Sequence, residues 1–496
     1  MKTYIFAYFG SAILALLITP IVIWVARRLS IVDFPGARRM HEKPTSHIGG
    51  VAILLSMICI TIPVLFLSNI IGDAFRDILP MLIVLLSAAG FIFFVGLIDD
   101  IRTKGIRART KFLAQMIAAI VVCAVGIRIE SVTVADWLTL DFGWFSWPLT
   151  LLWIVGITNA VNLSDGLDGL AAGISAVACG VIAVFAVYSG NVVMAVLMLA
   201  LLGSLTGFLF FNFNPAKIFI GDCGSMFLGF TIASSSVLCS TKSPVLVGLA
   251  LPVLALGIPI FDTFFSMLRR FLERRSMFAP DRRHFHHRLV DLGLKQRHVV
   301  ITMYAVTLLV AGLGMFMMVT RNINSLIVFL CILLLLLLVF RVVGAVRLRE
   351  TIAGVRKKYA ITHRTQEEIR CFEDVQLYFR RAITFDQWWQ AVSVAGEKMG
   401  FLSLSLPVVN RNGIIRTLTW QHDGQSPRSD DGLLKASIPI RDRRTGRSLN
   451  LRIEVCGTDS LESAGRRVAL FTRLIEENGV VSLPPEYSAR HLDANG

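Results

Sequence analysis

Acidic and basic side chains stand at the ends of long apolar runs in four short polar segments of this sequence. In the first segment, Asp99 and Asp100 end one apolar run and Lys111 opens the next. Carboxylates at the border of hydrocarbon are costly unless they are paired, hydrated or bound to a cation. Brought together at a membrane surface, two carboxylates and one ammonium group suit a metal-bound pyrophosphate, so we assign catalytic roles to all three residues. The alternative for Asp100 is a surface charge paired with Arg102 or Lys104.

The second segment, residues 159–168, combines two carboxylates with two amides. Asp165 and Asp168 are three positions apart, which places them on one face of a helix. One Asp at such a position can simply cap a helix by accepting free backbone N–H groups. Two Asp residues with Asn159 and Asn162 exceed what a cap needs. We therefore predict that Asp165 binds a metal and that Asn159, Asn162 and Asp168 bind substrate.

The third segment, residues 221–225, places Asp222 between glycines directly before another apolar run. Such glycines let backbone N–H groups approach an anion at a helix N-terminus, while the carboxylate is available to a divalent ion. Mg²⁺ usually takes one or two carboxylates together with waters and substrate phosphates. The sequence therefore predicts a magnesium site with Asp222 and Asp165 as metal ligands, and Mn²⁺ is the alternative ion.

The fourth segment, residues 281–288, is rich in Arg and His. His284 and His287 share one face if the segment is helical, and arginines offer forked donors to phosphate. A zinc site is the alternative, but Cys residues and acid pairs are missing at ligand spacing. The density of cations between 269 and 297 exceeds what membrane topology needs and indicates a phosphate-bearing ligand. The residues predicted to bind it are Arg270, Arg282, His284, His286, His287 and Arg288.

The apolar runs that carry these segments are long enough to cross a membrane. Hydrophobic residues make up 55% of the chain, and the mean hydropathy is +0.67. Because a span needs about 20 consecutive apolar residues, we predict a polytopic α-helical membrane protein with about eleven transmembrane helices. Their predicted positions are 4–26, 48–68, 77–98, 111–127, 147–162, 167–188, 191–211, 224–241, 244–267, 299–320 and 324–344.

The connections between these runs differ strongly in their content of Lys and Arg. Most of the cations fall in connections that lie on one side, which the positive-inside rule assigns to the cytoplasm. The rule predicts an N-terminus outside, a C-terminus inside and all four polar segments on the cytoplasmic face. The same bias, together with attraction to anionic lipid head groups, explains most of the net charge of +15.

The composition changes after residue 344, where the apolar runs stop. We predict a transmembrane domain over 1–344, a basic juxtamembrane linker over 345–364 and a cytosolic α+β domain over 365–496. Strand-like runs at 401–409, 414–420, 433–440 and 449–455 stand between helical patterns at 365–395 and 461–477. A GAF-like sensory fold is the expectation. Regulation or partner docking is one hypothesis for this domain, and plain stabilisation is the other.

Taken in order, the motifs resemble those of the polyprenyl-phosphate N-acetylhexosamine-1-phosphate transferases, which form glycosyltransferase family 4. The resemblance covers about residues 4–320 and its histidine motif is more similar to the GlcNAc-1-phosphate branch than to the peptidoglycan branch. One departure is His47, which stands where the family commonly has Arg. The motifs that carry the resemblance are Val32–Gly36 with His41, Pro44, Gly49 and Gly50, then Asp99–Asp100, Asn159–Gly169, Gly221–Ser225, Pro259–Thr263 and His284–Arg288.

The resemblance implies transfer of a HexNAc-1-phosphate, with GlcNAc expected, from a UDP-sugar to undecaprenyl phosphate. This reaction releases UMP and starts cell-envelope polysaccharide synthesis, such as that of lipopolysaccharide O-antigen, in the inner or plasma membrane. In this family the first Asp of the Asp-Asp pair, here Asp99, is often proposed as the base that deprotonates the lipid phosphate. A phosphate monoester has a second pKa of about 6 and is largely dianionic at neutral pH, so we predict a positioning role for Asp99 instead. The sequence leaves a homodimer open.

Three alternatives remain at this point. The sugar donor is either a UDP-HexNAc or the MurNAc-pentapeptide nucleotide of peptidoglycan synthesis. The transfer is either a direct displacement or proceeds through a covalent aspartyl intermediate. A cation-coupled transporter also places acids within the membrane, but near its midplane rather than at the ends of spans.

Overall fold

Two compact units divide the chain in the computed structural model, one over Met1–Thr351 and one over Ile352–Gly496. The residues that the structure describes are 1–33, 45–68, 70–102, 105–135, 138–240, 252–273, 276, 284–291, 293–320, 330–335, 337–339, 366–367, 369–409, 415–422, 433–441, 448–456 and 461–479.

Helices dominate the first unit. In chain order they are α1 (Lys2–Arg28), α2 (Gly50–Val64), α3 (Ile70–Asp77), α4 (Leu79–Ile101), α5 (Ala108–Ala124), α6 (Ser146–Ser164), α7 (Leu170–Tyr188), α8 (Val192–Asn212), α9 (Gly221–Ser240), α10 (Gly257–Leu272), α11 (Phe285–Asp291) and α12 (Gln296–Thr320). The first unit also contains two short antiparallel pairs of β-strands, β1 (Val32–Asp33) with β2 (Thr45–Ser46) and β3 (Ser131–Ala135) with β4 (Leu138–Asp141).

Seven helices among the described residues are long and apolar enough to cross a membrane, so the chain is a polytopic helical membrane protein. They are α1, α4, α6 with the short turn before it, α7, α8, α9 and α12. Shorter apolar helices lie at Gly50–Val64 and Leu330–Val339. Length and composition alone identify these helices, so the count of eleven spans and the orientation stay predictions.

Helix α9 lies at the centre of the first unit. Of its spanning window, 94% is buried among the other helices, and it packs against both α4 and α6. A Cβ atom added at Gly96 of α4 would lie only 2.5 Å from the Cα atom of Cys223. Such close contact is typical of small residues between membrane helices, and here it sets the N-terminus of α9 directly beside the C-terminal end of α4.

A four-stranded antiparallel sheet forms the core of the second unit, with the strand order β6-β5-β8-β7. Its elements are α13 (Phe385–Lys398), β5 (Phe401–Val409), β6 (Ile415–Gln421), β7 (Leu433–Arg441), β8 (Ser448–Cys456) and α14 (Leu461–Glu477), preceded by helical residues at 369–381. Alternate strand residues such as Leu404 and Ile453 are buried with Trp388 of α13 and Phe471 of α14. This is the one-sided burial expected of an antiparallel sheet covered by helices.

The ends of each predicted strand of the second unit differ from those of the observed strand by at most one residue, so the α+β prediction is confirmed. The helical pattern at 365–395 corresponds to two helical stretches rather than one, because the chain turns at 382–384 before α13 begins. Thr384 caps α13 in a capping box with Gln387. The GAF-like fold stays a prediction.

Candidate active site

Four polar side chains from four different helices meet at one end of the helical bundle. The last turn of α4 carries Asp99, and the first turn of α5 carries Lys111. The last turn of α6 carries Asn162, and the first turn of α9 carries Asp222. The contact between Lys111 and Asp222 joins residues 111 positions apart in the sequence, and the bundle therefore brings three of the predicted segments to one place.

Lys111 bridges the two acids of this cluster. Its Nζ atom lies 3.2 Å from Oδ2 of Asp99 and 2.5 Å from Oδ2 of Asp222. The Nδ2 atom of Asn162 donates to Oδ1 of Asp222 at 3.0 Å, and the backbone N–H of Ile106 donates to Asp99. The side chains of Lys111, Asp99 and Asp222 are 21%, 14% and 28% exposed. Charges this far out of water interact more strongly than they would at an open surface, so the cluster is a fixed arrangement of charge.

Asp100 contacts the N-terminus of α9. Its two carboxylate oxygens accept the backbone N–H groups of Asp222 and Cys223, each at 2.9 Å. These groups belong to the first turn of a helix and have no partner within it. Asp100 thus caps α9 from another helix, a contact that the sequence did not predict and that fixes the backbone of Asp222.

The segment before α2 contacts both the end of α4 and the start of α9. Nε2 of His47 lies 2.7 Å from the carbonyl oxygen of Asp100, to which it donates. Gly221 has a φ of +77°, and a Cβ atom there would lie 1.9 Å from the carbonyl oxygen of His47. Only glycine combines that conformation with that approach. The residue that departs from the family pattern therefore touches the backbone of the acidic pair.

The amides of the second segment tie helices together. Nδ2 of Asn159 donates to Oε1 of Gln115 at 2.6 Å and to the carbonyl oxygen of Val155 at 2.8 Å. Gln115 is buried and lies one helical turn after Lys111. Asn162 also donates to Oγ of Ser225 at 2.9 Å. The Asn159–Gln115 pair therefore fixes α5 against α6 beside the lysine, and the substrate-binding role of Asn159 stays a prediction.

The two acids of the second segment occupy different surroundings. Oδ2 of Asp168 accepts from Nδ2 of Asn214 at 2.9 Å and from the backbone N–H of Ala216 at 3.1 Å. It thereby fastens the loop that leads from α8 to α9. Asp165 instead lies near the acidic cluster: burial, the largest cause, together with the negative charges of Asp222, Asp100 and Asp168, raises its pKa to about 8. Asp165 is a carboxyl whose ionisation a nearby cation would favour.

A divalent cation fits this donor set. Asp99, Asp100 and Asp222 each offer a carboxylate oxygen, and these three atoms lie within 4.8 Å of one another. The set consists of hard oxygen donors, which Mg²⁺ prefers over nitrogen or sulfur. It carries an excess of negative charge over the single Lys111 ammonium group. The predicted ligand Asp222 belongs to it, and the predicted ligand Asp165 lies beside it.

The histidine segment is anchored by an acid from α10. Nδ1 of His284 lies 3.1 Å from Oδ2 of Asp262, and the backbone N–H of Phe285 donates to Oδ1 at 2.9 Å. Both side chains are buried. Because a carboxylate only accepts, Nδ1 carries a proton and donates it, which fixes the ring orientation. The motif at 259–263 contains Asp262, but its spacing alone did not show which side chain it would hold.

The other predicted residues of the basic segment are only partly described. Arg270 is buried on α10, two helical turns after Asp262. Arg288 is half-buried on α11. Arg282 and the side chains of His286 and His287 lie outside the described residues. The structure thus shows an anchored His284, while the phosphate-binding role of the segment stays a prediction.

Comparison with known proteins adds a family and several relatives. The profile described as Glycosyl transferase family 4 matches residues 81–240. A probable undecaprenyl-phosphate N-acetylglucosaminyl 1-phosphate transferase of Bacillus subtilis is 40% identical over 302 residues, which are 60% of this chain and 81% of the relative. A decaprenyl-phosphate N-acetylglucosaminephosphotransferase of Mycobacterium leprae is 34% identical, over 59% of this chain and 78% of the relative. A phospho-N-acetylmuramoyl-pentapeptide-transferase of Bacillus subtilis is 32% identical, over 63% and 97%.

Proposed function

The chain belongs to glycosyl transferase family 4, and we propose that it transfers N-acetylglucosamine 1-phosphate from UDP-N-acetylglucosamine to undecaprenyl phosphate. UMP is the second product, and the lipid-linked sugar starts a cell-envelope polysaccharide. We place the reaction on the cytoplasmic face, since the positive-inside rule, applied to the predicted spans, assigns the segments of the cluster to that face. The observation that carries the proposal is the cluster itself, in which Lys111 joins Asp99 and Asp222.

Phosphoryl transfer depends mainly on positioning and on neutralisation of charge, and the cluster supplies both. Asp99, Asp100 and Asp222, with Asp165 beside them, would hold Mg²⁺. When bound, Mg²⁺ neutralises charge on the diphosphate and polarises the phosphorus that is attacked. Lys111 supplies a cation next to this position, and His284 and the arginines of the basic segment would bind the phosphates from another side.

The experiment that tests the function is an assay of the purified protein in detergent. UMP release from UDP-GlcNAc should require both Mg²⁺ and undecaprenyl phosphate. UDP-GalNAc and the MurNAc-pentapeptide nucleotide serve as competing donors, and preference for the latter would assign the chain to peptidoglycan synthesis. No UMP from any donor would contradict the proposal and favour the transporter. Direct displacement predicts no exchange of labelled UMP into UDP-GlcNAc without the lipid, whereas an aspartyl intermediate predicts such exchange.

Asp99→Asn tests the positioning role of Asp99. The variant weakens the contact with Lys111, and a hydrogen bond to a charged group is worth about 1.5–3 kcal/mol, so kcat should fall about 10- to 100-fold. Because the acceptor is already dianionic above its second pKa of about 6, the loss should be the same at every pH above that value. A pH profile of kcat measures this. Full recovery of activity at high pH would instead make Asp99 the base.

Removal of the second unit tests the independence of the first. All described residues of the cluster lie within Met1–Thr351. A chain that ends before residue 355 should therefore keep kcat within about twofold, since a domain with its own hydrophobic core can fold alone. The same assay, with the full-length chain as control, measures this. A loss beyond tenfold in a truncated chain with an unchanged Tm would show that the second unit regulates the first.

A further inference from the structure

Tyr304 of α12 contacts the loop that carries Asp165 and Asp168. Its hydroxyl group donates to the carbonyl oxygen of Gly169, the residue directly after Asp168. Gly169 is the N-cap residue of α7, and the same carbonyl oxygen also accepts the N–H of Gly173 at 2.9 Å. The tyrosine thus binds the point at which the acidic loop becomes a helix.

Helix α7 leaves space for this ring. A Cβ atom at Gly173 would lie 2.0 Å from the ring of Tyr304, so any side chain there would displace it. Phe213 lies close to Gly169 as well, and the guanidinium group of Arg297 sits 5.8 Å above the Phe213 ring. Arg297 and Tyr304 both belong to α12, so this helix contacts the acidic loop directly through Tyr304 and contacts its neighbour Phe213 through Arg297.

The same helix is the neighbour of the histidine segment. α11 packs against the start of α12, and Leu289 of α11 is buried in the same core as Val299 and Val300. A displacement of α12 would therefore move His284 and Arg288 relative to Asp165 and Asp168. The two groups of residues come from different parts of the sequence, and α12 joins them.

We infer that Tyr304 is a positioning residue, which holds α11 and α12 at a fixed place relative to the loop of residues 165–169. It sets the spacing between the basic residues, which would bind phosphate, and the acidic residues, which would hold the metal beside the same diphosphate. The inference rests on the proposed function, because that function makes both groups contact the same UDP-sugar. The hydroxyl group positions the loop through its hydrogen bond to Gly169, and the ring packs against Gly173.

Tyr304→Phe removes the hydroxyl group and keeps the ring. The KM for UDP-GlcNAc should rise about fivefold, the effect of one lost hydrogen bond, while kcat stays within about twofold. Hydrogen exchange of the backbone at 165–170 and 285–291 should become faster, measured without any substrate. Tyr8→Phe is the matched control, since Tyr8 reaches Thr206 across another helix pair at 3.5 Å, and it should change neither quantity.

Gly173→Ala tests the same contact from the other helix. The new methyl group should displace the ring and raise KM as much as Tyr304→Phe does. In a Tyr304→Ala background the same change should add nothing, since the clash is gone. Additive effects, unchanged exchange in both segments, or a fall in kcat at constant KM would each overturn the inference. A wild-type chain that releases no UMP contradicts the proposed function alone, because the exchange comparison does not need turnover.

Discussion

Lys111→Met is expected to lower kcat by about a thousandfold, equivalent to ~4 kcal/mol. The lysine is the cation between Asp99 and Asp222, and its removal leaves two partly buried carboxylates facing each other without it. Their repulsion adds to the loss of a positive charge beside the transferred phosphate. Methionine keeps the length of the side chain, so packing changes little. The measurement is kcat at saturating donor and acceptor, with Tm as a check on folding.

Lys435→Met is the matched control for this change. Lys435 lies 3.6 Å from Glu454 on the exposed surface of the second unit, where an ion pair contributes about 0–1 kcal/mol. It should leave kcat unchanged. A Lys111→Met enzyme that folds normally and keeps a tenth or more of its activity would contradict the assignment of Lys111.

Asp222→Asn is expected to abolish binding of Mg²⁺ and to lower kcat by about a thousandfold. The amide has the shape of the carboxylate and can still accept from Asn162, but it lacks the charge that a hard cation requires. Binding is measured without turnover. Mg²⁺ at one hundred times its dissociation constant should stabilise the wild-type chain by about 2.7 kcal/mol and the variant not at all.

Asp73→Asn is the control for Asp222→Asn, since Asp73 forms an exposed ion pair with Arg76 on α3. This variant should keep both the activity and the stabilisation by Mg²⁺. If Asp222→Asn bound Mg²⁺ as well as the wild type does, the metal would have to be held by the remaining acids, and the ligand assignment would be wrong.

Repetitive patterns made most of the elements predictable. The positions of α4, α7 and α8 follow from long apolar runs, and the strands of the second unit follow from short runs between turns. α3 and the β3–β4 hairpin were missed, because they are too short to register as spans. The predicted count of eleven spans depends partly on residues 241–251 and 321–344, most of which lie outside the described part of the chain.

The residues of the site were predictable by type, but their partners were not. An acid beside an apolar run is conspicuous, which is why Asp99 and Asp222 were identified. That Asp100 would cap α9 depends on how α4 crosses α9, and helix crossing is set by packing between distant parts of the chain. The same holds for Asp262 with His284 and for Tyr304 with Gly169. In the sequence, the glycines of the Gly-Asp-Cys-Gly pattern indicated that the backbone of another segment would approach the start of α9 closely.

The burial of α9 among the other helices affects how the protein is inserted into the membrane. α9 has the lowest hydropathy of the seven candidate spans and is the most enclosed of them, and it buries Thr231, Ser234 and Ser235. Hydroxyl groups lower the tendency of a segment to partition into lipid on its own. α9 therefore depends on helices synthesised before it to receive it during insertion, and Asp222 reaches its place only when α4 and α6 already stand in the bilayer. Mutations that loosen those two helices should accordingly reduce the yield of inserted protein before they reduce its turnover.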